Sequence, residues 1–356
     1  MAILNKSKIR ADVLKLVEKL QKVQIEGISR FLQQEENQGM DFQALWKKVM
    51  YGNRLFFQNK GMCGELSGLL TREEMLFLAR MHRFTSNYVA DIDQKRYPLA
   101  EDVRVEEVDA GDVPAEWQIV DAAREDRVLL YLHGGGWVLG SPSGHRLLTV
   151  TLGRAARMRV LSVDYRLAPE HPYPAQLEDC TSAYKWLLSQ GLRPKKIIIA
   201  GDSAGGSLTL TSLLKLRNDG IPLPSGGICL SPSTDISFTD NSYFENGETD
   251  PILADIGLFW WIQAYLGGTG SADPLVSPLS GDLRGLPPLL FQVSTCEMLY
   301  CDSTRFVERA RAAGADVTLE TWDDMLHVFH LFGLHQLSEA KEAIARVGEF
   351  AQKVSG

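Results

Sequence analysis

Residues 195–206 read Lys-Lys-Ile-Ile-Ile-Ala-Gly-Asp-Ser-Ala-Gly-Gly, and the rest of the chain is best understood from this stretch. The β-branched run 197–200 is typical of a short buried strand. The apolar run 208–216 follows almost at once and predicts a buried helix. The glycines on either side of Asp-Ser-Ala leave room for a sharp turn that a Cβ atom would obstruct. We therefore predict a strand, a tight turn with the Ser203 hydroxyl at its apex, and a helix.

A Gly-x-Ser-x-Gly turn between a strand and a helix has the form of a nucleophile elbow, but the pattern also occurs by chance. A second feature lies 70 residues upstream, where His133-Gly134-Gly135-Gly136-Trp137 follows an apolar run. Consecutive glycines that leave a strand can point backbone N–H groups into a cleft, as in the oxyanion holes of lipases and esterases. We predict that the N–H groups of Gly134, Gly135 and Ala204 form such a hole, and that His133 is part of the loop structure.

A general base should follow the serine and the acid in chain order. Three of the seven histidines lie beyond Ser203. His327 stands in a loop directly after the predicted last strand, whereas His330 and His335 fall in the apolar stretch that follows. We therefore predict that His327 is the base.

The carboxylate should come from the loop after the apolar run 289–293, which offers Glu297 and Asp302. Glu297 is nearer the end of the strand and can reach an imidazole from there. Asp302 resembles the N-cap of a helix over 303–313. We favour Glu297, and Asp302 is the alternative.

Short apolar runs alternate with helical stretches from residue 103 onward. Such alternation predicts a mostly parallel sheet between layers of helices. The first two runs are expected to pair as antiparallel strands. The predicted strands are 103–108, 117–120, 128–132, 160–163, 197–200, 227–230, 289–293 and 317–321. The predicted helices between them are 143–157, 175–190, 207–219 and 302–313.

The composition is that of an ordinary globular protein, with 45% hydrophobic and 23% charged residues among 356. A net charge of −8 argues against nucleic acid as a partner. The odd number of cysteines and the lack of a Cys-x-x-Cys spacing indicate free thiols in a reducing, cytoplasmic compartment. They stand at positions 63, 180, 229, 296 and 301. We find no apolar run long enough for a membrane span and no signal peptide.

The first 60 residues carry 11 Lys and Arg against 6 Asp and Glu, a net charge of +5. Residues 6–26 predict a helix with a narrow apolar stripe between lysines. Such a helix can lie on an anionic membrane surface. The interpretation we favour is that its stripe packs on the body of this chain, or on a second copy in a homodimer.

Two aromatic-rich segments stand outside the alternating pattern. One is the group Phe31, Phe42, Trp46, Tyr51, Phe56 and Phe57. The other is the apolar stretch 258–266, inside an insertion between two predicted strands. The first is expected to be core or the lining of an acyl pocket. The second is expected to be a lid over the strand ends, ordinary core or a dimer face. Thr71 and Glu74 match a capping box that opens a further helix to about residue 89.

These motifs together resemble the hormone-sensitive-lipase-like group of α/β-hydrolases. The matching stretches are 133–137, 164–175, 201–206, 231–235 and 327–329. The resemblance covers about residues 100–350. It implies an α/β-hydrolase fold with a mostly parallel sheet of about eight strands flanked by helices. It also implies a catalytic domain at 101–356, and a helical cap built from residues 1–100 and an insertion at about 235–270. The acid in this group is more often Asp in an Asp-x-Leu setting, which Glu297-Met298-Leu299 occupies here.

The resemblance implies hydrolysis of small carboxylic esters with short to medium acyl chains, with no metal and no cofactor. Ser203 would attack the acyl carbon, His327 would transfer the proton and Glu297 would orient His327. An amidase or a specific deacetylase could use the same three residues. A ligand-binding protein of this fold is a further alternative, which the presence of His327 disfavours because the related plant hormone receptors lack that histidine.

Overall fold

The computed structural model describes residues 5–61, 66–238, 240, 242–254 and 256–356. Cys63 and part of the glycine-rich stretch 61–68 lie outside the described residues. Within them, all eight predicted strands are present, each starting or ending within a few residues of the apolar run that predicted it. The strands are β1 Val103–Asp109, β2 Pro114–Val120, β3 Arg124–Leu132, β4 Met158–Val163, β5 Ile197–Asp202, β6 Gly226–Leu230, β7 Leu289–Ser294 and β8 Val317–Trp322.

The eight strands form one sheet in the order β1-β2-β4-β3-β5-β6-β7-β8. β1 and β2 are antiparallel, as predicted, and β2 also runs antiparallel to β4. The other neighbours are parallel. β3 begins before its apolar run because Arg124 already pairs with Met158, across an irregularity that ends at Val128. The parallel strands therefore bring the loops after β3, β5, β6, β7 and β8 to one edge of the sheet.

The helices are α1 Ala11–Leu32, α2 Phe42–Gln58, α3 Arg72–Arg96, α4 Pro142–Ala156, α5 Ala175–Ser189, α6 Ala204–Asn218, α7 Ser242–Glu245, α8 Leu258–Leu266, α9 Tyr300–Ala312, α10 Phe329–Phe332 and α11 Ser338–Ser355. The predicted capping box opens α3, with Thr71 and Glu74 bonding to each other's backbone N–H groups. Several expected boundaries are wrong, including the end of α1, which is Leu32 rather than 26, and the end of α3, which is Arg96 rather than about 89. α1 begins at residue 11 rather than 6, because residues 6–8 form a separate 3₁₀ turn. α9 begins at Tyr300, so Asp302 lies inside its first turn and is not the N-cap.

Apolar side chains leave the central strands alternately towards two helical layers. On one face, Tyr131 and Ala200 pack with α4 and α11. On the other, Leu130 and Ile199 belong to the cluster that also takes in α5, α6 and α9. Both faces of the middle strands are thus covered, as continuous apolar runs require.

The first helix closes against the last part of the chain. Val13 and Val17 of α1 are buried in a cluster with Phe329 of α10 and Ala340 of α11. Arg10 Nη1 donates to Glu339 Oε1 at 2.5 Å. The apolar stripe of α1 therefore packs on the body of the chain, as one of the expected alternatives had it. Among the described helices, none combines the length and the apolar character needed to cross a bilayer.

The two aromatic-rich segments pack on each other. Phe56 of α2 and Phe259 of α8 are fully buried in the same cluster. Gly52 faces the Phe259 ring, where a Cβ atom would overlap it. Asn53 Nδ2 donates to the Ala254 carbonyl at 3.1 Å. The N-terminal helices and the insertion thus form one layer above the strand ends.

Candidate active site

Ser203 stands at the turn between β5 and α6, in a backbone conformation with φ +51° and ψ −118°. A Cβ atom at Gly205 would overlap the Leu132 carbonyl oxygen, and one at Gly201 would overlap the Gly205 carbonyl group. The two glycines therefore let the elbow pass close to β3, as the sequence predicted. A serine with a positive φ is uncommon, and such strain is typical of functional turns.

Ser203, His327 and Glu297 form a hydrogen-bonded chain. His327 lies in the loop between β8 and α10, with its Nε2 atom 3.0 Å from Ser203 Oγ. Its Nδ1 atom lies 3.4 Å from Glu297 Oε1, in the loop after β7. Glu297 is fully buried and His327 is 3% exposed. The structure brings together the three side chains that the sequence singled out, on loops after three different strands.

Ser231, directly after β6, begins the stretch 231–235 that carries part of the resemblance, but the sequence analysis gave it no role in the site. Its hydroxyl donates to Glu297 Oε2 at 2.8 Å and accepts from the Val328 N–H at 3.2 Å. The Ser294 N–H also approaches Glu297 Oε2, at 3.3 Å. Ser231 thus connects the carboxylate loop to the histidine loop. The signal that could have found Ser231 was its position at the carboxyl end of β6, between the strands that carry Ser203 and Glu297.

The pKa values of Glu297 and His327 are both raised, but by different causes. Burial raises the pKa of Glu297, and the nearby His327 offsets only part of that rise. Burial would by itself lower the pKa of His327, but the charge and hydrogen bond of Glu297 outweigh it and the pKa is raised. The carboxylate therefore stabilises the protonated imidazole, as a general base needs during proton transfer.

The alternative site residues lie elsewhere. Asp302 is buried and accepts hydrogen bonds from the backbone N–H groups of Thr234 and Asp235, at 2.5 Å and 2.7 Å. His330 Nε2 lies 2.9 Å from Gln292 Oε1. His335 stacks on Tyr97, with ring centroids 3.8 Å apart. Neither Asp302 nor the two histidines take part in the chain that ends at Ser203.

The glycine loop corrects one expectation about the oxyanion hole. The Gly134 N–H donates to Asp202 Oδ1 at 3.0 Å, so that donor is already engaged. Among the described residues, no hydrogen bond engages the N–H of Gly135 or of Gly136, and both residues line the cavity with Ser203. Ala204 is the first residue of α6, so its N–H has no acceptor inside the helix. Gly135, Gly136 and Ala204 thus offer free donors, and Gly134 does not.

A cavity of about 340 Å³ opens above Ser203. Its walls are mostly apolar and come from the sheet edge, α1, α3, α4, α10 and the insertion. Trp261 of α8 is the insertion aromatic that reaches it, and none of the described aromatics of the group 31–57 lines it. Phe31 and Phe56 of that group are core, and three others pack against it partly buried, while Tyr51 is 44% exposed. No set of three or more His, Cys, Asp or Glu side chains among the described residues is grouped to hold a metal ion.

The chain is similar in sequence and in fold to known proteins. A family model for the alpha/beta hydrolase fold matches residues 129–331. The chain is 43% identical over 251 residues to an acetyl-hydrolase of Streptomyces hygroscopicus, covering 70% of this chain and 83% of that protein. It is 39% identical to an esterase of Acinetobacter venetianus, with coverage of 72% and 84%.

Among solved structures, an esterase from the bacterial hormone-sensitive lipase family superimposes with a TM-score of 0.72. It shares 41% sequence identity, over 87% of this chain and 99% of that one. The chain therefore belongs to the α/β-hydrolase family, within its hormone-sensitive-lipase-like group, and is a carboxylesterase-like hydrolase.

Proposed function

We propose that this protein hydrolyses small carboxylic esters through an acyl-enzyme formed on Ser203, with His327 as general base and Glu297 as the triad acid. The observation that carries the proposal is the hydrogen-bonded chain from Ser203 Oγ through both nitrogens of His327 to the buried Glu297 carboxylate. A serine hydroxyl is a weak nucleophile until such a base accepts its proton.

In this mechanism His327 Nε2 takes the hydroxyl proton while Ser203 Oγ attacks the acyl carbon. The protonated imidazole then gives that proton to the leaving alcohol, and the acyl group stays on Ser203. A water molecule then gives a proton to His327 and attacks the acyl-enzyme, which releases the carboxylic acid and restores the Ser203 hydroxyl. Glu297 keeps the proton on Nδ1 of His327 and stabilises its positive charge in each half of the cycle.

We assign the oxyanion hole to the N–H groups of Gly135, Gly136 and Ala204. These donors flank Ser203 from the glycine loop and from the start of α6, where the helix dipole also favours negative charge. Loss of one such donor in another serine hydrolase costs on the order of 10²–10³ in rate. Gly134 has no part in the hole, because its N–H is bonded to Asp202.

The test is turnover of p-nitrophenyl acetate and butyrate by wild type and Ser203→Ala. We expect the substitution to abolish turnover while circular dichroism and melting temperature stay close to those of wild type. A fluorophosphonate probe should label wild type stoichiometrically and leave the variant unlabelled. Turnover by Ser203→Ala near the wild-type rate would contradict the proposal.

The cavity supports short to medium acyl esters as substrates. Its volume is near the lower end of ordinary ligand sites, and its apolar walls suit an acyl chain or an apolar alcohol. We assign α1, α2, α3 and the insertion to a cap on the catalytic domain 101–356. A p-nitrophenyl ester series should therefore show kcat/KM falling from butyrate to the long-chain esters.

A second candidate is cleavage of an amide, as by an amidase or a deacetylase with the same three residues; the Streptomyces relative is named an acetyl-hydrolase, a name that fits an acetyl group on either oxygen or nitrogen. p-Nitrophenyl acetate and p-nitroacetanilide present the same acyl group on an alcohol and on an amine, and their relative turnover decides between the two. The cytoplasmic location, a homodimer and a membrane contact through residues 6–26 stay predictions.

A further inference from the structure

A second buried histidine–carboxylate pair lies directly beneath the glycine loop. Asp202, the residue before Ser203, is 2% exposed, and His145 of α4 is 6% exposed. His145 Nε2 lies 3.5 Å from Asp202 Oδ2. Both residues line the cavity, but neither belongs to the chain that ends at Ser203 Oγ.

The surroundings of His145 favour a proton on each of its ring nitrogens. Its Nδ1 atom lies 3.2 Å from the Ser141 carbonyl oxygen, which can only accept a hydrogen bond. Its Nε2 atom faces the Asp202 carboxylate, which also accepts. A neutral imidazole has one proton and would turn a lone pair towards one of these oxygens. The geometry therefore favours an imidazolium paired with the Asp202 carboxylate.

The electrostatics of the neighbouring groups agree with this assignment. Burial would lower the pKa of His145, but the Asp202 charge and hydrogen bond outweigh it and the pKa is raised. Burial would raise the pKa of Asp202, yet His145 and the Tyr131 hydroxyl hold it at about 2. His133 has its ring centroid 5.4 Å from that of His145, and burial lowers its pKa to about 3, so it stays neutral.

The other oxygen of Asp202 connects the pair to the glycine loop. Asp202 Oδ1 accepts the Gly134 N–H at 3.0 Å and the Tyr131 hydroxyl at 2.7 Å. A Cβ atom at Gly134 would overlap the Asp202 side chain, so the loop passes directly over the carboxylate. The Asp202 side chain thus links the turn that carries Ser203 to Gly134, the first residue of the glycine loop.

We propose that Asp202 and His145 are positioning residues. Their ion pair fixes the Asp202 carboxylate, which anchors the Gly134 N–H. The anchored loop in turn aligns the N–H donors of Gly135 and Gly136 with Ser203. This inference rests on the proposed ester hydrolysis. Without His145 the carboxylate is left buried and unpaired, which is strongly unfavourable. It then turns away or takes up a proton, and the glycine loop loses its anchor. Donors misplaced by about 1 Å cost on the order of 10²-fold in rate.

The variants are His145→Gln and Asp202→Asn, and Tyr131→Phe is the matched control. Tyr131→Phe removes one hydrogen bond to Asp202 Oδ1 but leaves the ion pair and the Gly134 contact in place. With p-nitrophenyl acetate, we expect kcat to fall by about 30–300-fold in the first two variants, with KM changed less than about threefold. Tyr131→Phe should stay within about fivefold of wild type.

A second readout separates positioning from a general structural defect. N–H donors aligned for an oxyanion fit the sulfur of p-nitrophenyl thionoacetate poorly, so the wild type should strongly prefer the oxygen ester. A displaced glycine loop lowers that preference, whereas partial unfolding lowers both rates in proportion. An oxygen-to-sulfur preference equal to that of wild type in both variants would overturn the proposal.

Histidine-labelled wild type gives a test that needs no stable variant. Heteronuclear NMR near neutral pH should show His145 protonated on both ring nitrogens, and a neutral tautomer would overturn the proposal. Failure of the proposed function looks different, because wild type would then not turn over the acetate ester at all, or Ser203→Ala would keep its activity. Wild-type turnover with unchanged His145→Gln and Asp202→Asn would overturn the positioning role alone.

Discussion

His327–Glu297 and His145–Asp202 are two buried pairs of similar chemistry at one edge of the sheet, with N···O distances of 3.4 Å and 3.5 Å. They differ in what faces the second ring nitrogen. His327 Nε2 faces a serine hydroxyl, which can donate or accept, so the ring can exchange a proton. His145 Nδ1 faces a carbonyl oxygen, which can only accept a hydrogen bond, so this partner cannot take the Nδ1 proton in exchange for one of its own. In the roles that we propose, the partner of the second nitrogen therefore separates a proton-transfer histidine from a fixed cation.

The largest expected effect is on the proton-transfer histidine. His327→Ala should lower kcat for p-nitrophenyl acetate by on the order of 10⁴–10⁶, as loss of the base does in other serine hydrolases. This is far more than we expect for His145→Gln. The measurement is steady-state turnover of purified, folded variants.

His330→Ala is the control for proximity, since His330 is also buried but lies against Gln292. It should lower the melting temperature by leaving the Gln292 carbonyl oxygen unsatisfied, and change kcat less than about tenfold. Equal losses for His327→Ala and His145→Gln would remove the distinction between the two pairs.

The next effect concerns the carboxylates. Glu297→Gln keeps the shape of the side chain but removes the charge beside His327, and kcat should fall by on the order of 10²–10⁴. Asp302→Asn makes the same change at an equally buried carboxyl that bonds to Thr234 and Asp235. Its kcat should fall less than about tenfold. A reversed order would transfer the acid role to Asp302.

The smallest effect is a shift in pH dependence. The pKa of His327 is raised, and only the neutral ring can accept the serine proton, so activity is lost as pH falls through that pKa. The acid limb of kcat/KM should therefore lie above the ordinary histidine value of about 6.5. In Glu297→Gln it should move to lower pH, because burial then acts on His327 without the carboxylate. Profiles between about pH 5 and pH 9 would show this, and an unmoved limb would assign it to another group.

Much of the fold and the main site residues could be predicted because they depend on local chemistry. The central strands are buried on both faces, so each appears as a continuous apolar run. Ser203 follows such a run, whereas His327 follows β8, an edge strand with alternating and partly exposed residues. Glu297 and Asp302 remained alternatives because both follow β7 within nine residues, and only the packing of α9 turns Asp302 towards Thr234.

The remaining features depend on contacts between distant segments. Gly134 matched the pattern of an oxyanion donor, but the sequence does not reveal that Asp202, 68 residues later, has taken its N–H. Ser231 is one serine among many until the Glu297 and Val328 loops close around it. The place of α1 likewise depended on whether a surface on this chain fitted its apolar stripe.

The contact between α1 and α11 bears on the order in which this protein gains activity during synthesis. Val17 lines the cavity and is buried beside residues of the last quarter of the chain, and Arg10 pairs with Glu339 across 329 positions. α1 is synthesised well before the residues on which it docks, so it stays undocked until Phe329 and Ala340 have been made. Such long-range contacts are slow to form. The cavity wall is complete only when α1 has packed on α10 and α11, so ester turnover would report that docked state.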